Sequence, residues 1–127
     1  MKNREIYKGA LRLLAEPDEE ARLEDYAMRA PYILGGFFYE NGRLEEEYRR
    51  VFGLEDRKFV HAVYVDLDSD FPFAERFVTA AEFYLASMLV IDEDNDLSDK
   101  FFDKYSVDMT KIVSEIPATS EKIAQMY

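Results

Sequence analysis

Between Phe77 and Ile91 the chain reads FVTAAEFYLASMLVI, and only Thr79, Glu82 and Ser87 interrupt fifteen otherwise apolar residues. With the preceding PFAER, the stretch Pro72–Ile91 predicts one helix of roughly 30 Å, about the width of a small domain. A helix apolar around most of its circumference must be enclosed by protein or by lipid. Lipid is disfavoured, because the apolar run is short and carries Glu82 inside it. The stretch therefore predicts a central helix around which the rest of the chain packs.

The remaining composition suits that plan. The 127 residues are 48% hydrophobic and 15% aromatic, enough for a real core. A chain of this length folds as one domain and buries roughly two-thirds of its unfolded surface. The domain is expected over residues 1–117, with 118–127 as a short tail. The absence of cysteine excludes disulfides, thiolate metal sites and a cysteine nucleophile, and fits a cytoplasmic protein. Lys8 and Arg12 break the first apolar segment, so neither a signal peptide nor a membrane span is expected.

The net charge of −11 argues against nucleic-acid binding through phosphates and against anionic membrane surfaces. Residues 61–99 hold ten acidic residues against Arg76, a net of −9, whereas the other 88 carry 17 acids and 15 bases, a net of −2. The acidity thus gathers at the two ends of the central helix.

Ile6, Tyr7, Ala10, Leu11, Leu13 and Leu14 recur at helical spacing and predict a helix from Asn3, as its cap, to Glu16, stopped by Pro17. A second helix is expected from Asp18, with Leu23, Tyr26, Ala27 and Ala30 as its buried stripe, ending or kinking at Pro31. The segment 31–39, PYILGGFFY, fits either a helix beginning on Pro31 or an extended run, and the helical neighbours favour helix. Asn41-Gly42 predicts a turn. Leu44, Tyr48 and Val51 then line a short charged helix that Gly53 terminates.

The stretch 59–67, FVHAVYVDL, alternates β-branched and aromatic residues and is the best strand signal. With only 32–39 as a possible partner, it reads as a small hairpin-like element or as a buried extended connector. A last helix from about Leu97 to Ile116 carries Leu97, Phe101, Tyr105, Met109, Ile112 and Ile116 on one face, with Asp96 or Ser98 as cap and Pro117 as stop. The fold class is therefore mainly α, a helical bundle around a central hydrophobic helix.

No catalytic, cofactor or metal constellation emerges. Asp66-x-Asp68-x-Asp70 and Asp92-x-Asp94-x-Asp96 begin like calcium loops, which need Gly at position six and a bidentate carboxylate at twelve. The first has Phe71 and Phe77 there; the second has Leu97 and Asp103, and Leu97 cannot cheaply take glycine's backbone shape. Both read as solvated, helix-capping loops. His61 is the sole histidine and lies in an apolar stretch, as a structural residue would. Gly35-Gly36 lacks the pattern of a phosphate loop. The chain is accordingly read as non-enzymatic.

Three features suggest contact surfaces. Phe37, Phe38 and Tyr39 are consecutive, so on a helix they cannot all face one core, and aromatics are enriched at interfaces. Asp92, Glu93, Asp94 and Asp96 form an acidic loop at one end of the central helix. The tail ends in Met126-Tyr127, an apolar terminus suited to docking on a neighbouring subunit.

The segment Asp70–Tyr105, DFPFAERFVTAAEFYLASMLVIDEDNDLSDKFFDKY, resembles small helical head–tail connector or adaptor proteins of tailed phages and prophages. It shares a proline, an Ala-rich helix with large apolar residues, an acidic break, and an amphipathic helix spaced by aromatics. The resemblance implies a ring-forming structural protein beneath the portal. Its partners would be portal and tail proteins, and it would be a homo-oligomer once assembled. A ring would multiply the −9 of residues 61–99, and a negative lumen would let DNA slide without sticking. Two other classes fit the composition: a cytoplasmic helical interaction module, and an acidic inhibitor that mimics DNA.

Overall fold

The computed structural model of the chain describes residues 1–15, 20–57 and 63–117, with the backbone alone for 20–23. Four helices follow in order: α1 (Asn3–Leu13), α2 (Glu20–Val51), α3 (Val78–Leu89) and α4 (Asn95–Glu115), with a single 3-10 turn at Glu75–Phe77 leading into α3. No strand occurs among the described residues, where an isolated bridge joins Lys2 to Asp70.

The mainly α architecture expected from the sequence is observed, and α3 is its axis. Every extensive helix–helix packing among the described residues involves α3, which α1, α2 and α4 surround while touching one another only slightly. Ala80, Ala81, Tyr84, Leu85, Ala86, Ser87 and Leu89 are all buried along its twelve residues. The predicted span of 72–91 is shortened, because Phe71–Ala74 forms a loop whose Phe73 and Ala74 are themselves buried. Small side chains set the α3–α4 spacing. Ser87 Oγ donates to the Ser98 carbonyl at 2.8 Å, and Ser98 Oγ donates back to the Ser87 carbonyl at 2.9 Å. At the α1–α3 contact Gly9 lets the Glu82 side chain lie against α1: a Cβ there would stand 1.4 Å from Glu82 Oε2, so the end of that flexible side chain would have to turn away.

The largest correction concerns α2. The helix does not end at Pro31 and the turn expected at Asn41-Gly42 does not occur: one 32-residue helix runs through both, and 31–39 is helical as its neighbours favoured. Pro31 removes one backbone donor. The turns on either side bury Ala30, Leu34, Phe37 and Phe38, and that burial outweighs one lost hydrogen bond. The Pro31 carbonyl also accepts from Val65 N at 3.2 Å. Asn41 makes no turn, because its side-chain amide donates to the Phe37 carbonyl (3.1 Å) and to Tyr105 Oη (3.0 Å) inside the core. Gly53 does end the helix. It takes φ 67°, and Leu54 N reaches back to the Arg49 carbonyl at 2.9 Å, the bond of a Schellman cap.

The other differences are local. Helix α1 closes at Leu13 rather than Glu16. Asn3 is its first residue, not its cap: the Asn3 amide donates to the Asp66 carbonyl, while Asn3 N and Arg4 N donate to the Ser69 and Leu67 carbonyls. The carbonyls of a distant loop thus satisfy the donors that a capping side chain would otherwise take. Asp94, rather than Asp96 or Ser98, caps α4 by accepting from Leu97 N at 3.0 Å. Of the 59–67 stretch, residues 63–67 are described and form no strand; Val65 and Leu67 are buried and Val63 is exposed, the pattern of an extended connector. Residues 59–62 and the 118–127 tail lie outside the described residues.

Candidate interaction surface

Because α2 is continuous, its outer face is a single line. The inward positions Tyr26, Ala30, Leu34, Phe37 and Leu44 are buried. Phe37 and Phe38 belong to that core: Phe37 packs on Phe73, Tyr84 and Tyr105, and Phe38 on Phe71 and Phe73. Tyr39 points the other way and is 75% exposed. Met28 (68%) and Tyr32 (57%) precede it at i and i+4, with Tyr39 at i+11, so all three share one helical stripe. Tyr64 (56% exposed) extends it, its ring edge-on to Tyr32 with centroids 5.1 Å apart. Scattered apolar residues on a surface are ordinary, whereas these are aligned, which makes the ridge the candidate contact surface. The sequence carries this signal in the spacing of Met28, Tyr32 and Tyr39, and the end or kink expected at Pro31 divides it.

The acidic loop stands at the far end of α3. Asp92, Glu93, Asp94 and Asp96 are exposed. Two have structural duties, since Asp94 caps α4 and Glu93 accepts from Tyr26 Oη at 2.7 Å. At the other end, Arg4 pairs with Asp68 (2.9 Å) and Lys2 with Asp70 (3.1 Å). These partners hold both carboxyls below the ordinary aspartate value, through the side-chain hydrogen bond first and charge attraction second. The negative field of residues 61–99 is therefore partly cancelled at the Asp66–Asp70 end.

Two grooves flank α4. One, of about 420 Å³, opens between α3 and α4 and is lined by Phe83, Val107, Asp103, Lys104 and Lys111, among others. The other, about 380 Å³, lies between α2 and α4 beside Asn41, Tyr105 and Met109. Burial pushes Tyr84 up to about 12 and raises Tyr105, where the bond from Asn41 opposes the shift. Neither hydroxyl ionises near neutrality.

A buried polar cluster escaped the sequence reading. Glu45 is fully buried; its Oε2 accepts from Arg49 Nε (2.5 Å) and Ala74 N (2.7 Å), and its Oε1 from Arg57 Nε (2.5 Å). Arg57 also lies 4.9 Å over the Phe73 ring. The cluster ties α2 to the segments before and after the 58–62 stretch and sets the approach to α3. Among the described residues no group of three or more His, Cys, Asp or Glu side chains could hold a metal ion. No described helix is long and apolar enough to cross a membrane. His61, Met126 and Tyr127 lie outside the described residues, and Gly35-Gly36 sits within α2.

Comparison with protein-family models, curated proteins and solved structures finds no match.

Proposed function

We propose that the chain is a non-enzymatic assembly protein of tailed phages or prophages, similar to head–tail connectors, working through protein–protein contacts in a ring beneath the portal. The observation that carries this reading is the aromatic ridge of Met28, Tyr32, Tyr39 and Tyr64, a surface that a lone domain has no reason to leave aligned and uncovered. The resemblance of Asp70–Tyr105 supports it, and that segment spans α3 and the first half of α4, on which α1 and α2 pack. On this reading the partners are portal and tail proteins, and the chain passes from the host cytoplasm into the virion. The carboxylates available to line a channel are Asp92, Asp94 and Asp96, because Asp68 and Asp70 are already paired.

Peptide mass spectrometry of tailed particles released from the source strain tests the reading. The expected result is this chain in the particle fraction, at a fixed ratio to the portal protein. Its absence from particles, or a gene lying among metabolic genes rather than portal, capsid and tail genes, would overturn the reading.

A further inference from the structure

The ridge on α2 and the groove between α3 and α4 lie on opposite sides of the domain. Phe77 and Tyr84 face α2, meeting Tyr48 and Phe37 at centroid distances of 5.5 and 5.7 Å. Thr79, two residues on from Phe77 and so roughly 200° round the helix, lines the groove with Phe83. The groove thus opens on the side of α3 turned away from α2, while Met28, Tyr32 and Tyr39 project from α2 on the side turned away from α3.

The two surfaces are also complementary in chemistry. The ridge is apolar and aromatic, with exposed Glu24 and Glu40 beside it, neither forming an ion pair among the described residues. The groove has an apolar floor of Phe83 and Val107. Lys104 and Lys111 stand on its rim with Lys100 one turn earlier, and these three likewise form no ion pair among the described residues. Lys104 instead lies 6.0 Å over the Phe83 ring, which holds the ammonium against the groove floor. Asp103 on the rim and Arg43, one turn beyond Tyr39, supply a second pairing of reversed sign. A volume of about 420 Å³ falls within the range of sites that accept small organic groups, so it accommodates a tyrosine side chain.

We infer that the ridge of one copy docks in the α3–α4 groove of the next, with Tyr39 as the anchor, Glu40 facing the lysine rim and Arg43 facing Asp103. The occupant is thus a second copy of this chain. The contact is heterologous, joining two different surfaces, and repetition generates a ring where the rotation closes. An aromatic anchor in a pocket ringed by charges is the usual form of an interface hot spot. The inference rests on the proposed function for its biological setting, but not for its physical test.

The chain has no cysteine, so single thiols can be placed at will. Arg43→Cys and Asp103→Cys, which leave the Tyr39 anchor and the groove floor intact, are made in separate preparations, mixed at high concentration and treated with a short bismaleimide, with Lys8→Cys on α1 as the off-surface control. All three sites are exposed, and circular dichroism confirms that each variant folds. The expected result is a heterodimer of the Arg43→Cys and Asp103→Cys chains in about ten-fold excess over either pairing with the control, because a docked complex raises the local thiol concentration. Adding Glu40→Lys to the first copy, or Lys104→Glu to the second, reduces that yield, and combining the two restores it. Cross-linking at the control level, or dominance of the Arg43→Cys homodimer, which would mean a two-fold contact, overturns the inference. A chain found in virions that fails this test keeps its proposed function and loses this interface. One that passes and is missing from virions does the reverse.

Discussion

Replacing Glu45 by Gln preserves volume and shape while changing one oxygen to an amide donor. In the native cluster every neighbour of the carboxylate is itself a donor: Arg49 Nε and Ala74 N on one oxygen, Arg57 Nε on the other. Whichever way the Gln amide is turned, its NH2 faces an N–H. If the carbonyl keeps Arg49 and Ala74, the amide opposes Arg57, whose guanidinium is almost wholly buried. Removing one partner from a buried, hydrogen-bonded ion pair costs about 3–5 kcal/mol, and because Arg57 keeps Glu46 at 3.7 Å and the Gly42 carbonyl at 3.1 Å the loss is expected at the lower end, about 3 kcal/mol. Against a total stability of roughly 5–15 kcal/mol, that is a large fraction. For a domain of this size it lowers the melting temperature by roughly 10–20 °C. Urea titration followed by circular dichroism measures the loss as a shift in midpoint at constant slope. The companion variant Arg57→Met removes the guanidinium that the Gln amide would oppose, so Glu45→Gln with Arg57→Met should cost clearly less than the sum of the two singles. A Glu45→Gln protein within about 1 kcal/mol of the parent, or strictly additive losses, would refute the view of this cluster as a buried clamp between α2 and the approach to α3.

Other perturbations probe the packing and the titrating groups. Leu85→Ala, at a fully buried position on α3, should cost about 2–5 kcal/mol in the same titration, and a loss below ~1 kcal/mol would mean that α3 is not the axis of the core. Ser87→Ala alone should cost about 0.5–1.5 kcal/mol, and adding Ser98→Ala should cost a similar amount again, because each hydroxyl donates its own bond to the carbonyl on the other helix. Burial lifts the half-buried Glu82 carboxyl above its ordinary value, with Arg12 opposing. Its favourable contribution is therefore complete below the unfolded carboxylate range and lost as pH rises through the folded value. Glu82→Gln should accordingly be more stable than the parent at about pH 7 and equal to it near pH 3; equal stability at both would refute the desolvation. Tyr84 titrates at about 12 in the folded chain, so an ultraviolet alkaline titration should show a late tyrosine component that Tyr84→Phe diminishes. An unchanged curve would mean that Tyr84 is not desolvated.

The parts of the fold legible in the sequence are those where one helical period decides burial. Helix α3 could be read because it is apolar on nearly every side, and α4 because Phe101, Tyr105, Met109 and Ile112 hold one stripe for three turns. Helix α2 resisted the same reading because local signals competed with distant partners. Pro31 and Asn41-Gly42 are strong breakers on their own, yet Val65, Tyr105 and the Phe37–Phe73 contacts outweigh them. Glu45 and Glu47 looked like a solvated charge run. Their burial depends on Arg57, twelve residues beyond Glu45, on Ala74, twenty-nine beyond it, and on Arg50 beside Glu47. The candidate surface shared that fate. Tyr39 is legible as a surface aromatic, but the ridge exists only if the helix continues through Pro31.

The same arrangement explains why apolar surface remains outside. A plan in which three helices pack on α3 and only slightly on each other consumes the alanines, Ser87 and the large apolar residues of α3 in three separate contacts. It leaves the α2–α4 groove where two outer helices fail to meet, and the α3–α4 groove along a seam that no other described helix covers. It also leaves α2, at 32 residues, much longer than the 12-residue α3 it covers. At 1.5 Å per residue the excess is about 30 Å of helix that α3 alone cannot bury. Part of that excess packs on the 71–77 segment through Phe38 and Tyr48. Its opposite face, carrying Met28, Tyr32 and Tyr39, has no counterpart helix among the described residues. Burying apolar area at about 25 cal/mol per Å² stabilises whatever state covers it. A helix this long, with aromatics aligned on its free face, is therefore the part of the fold with most to gain from the contact between copies proposed above.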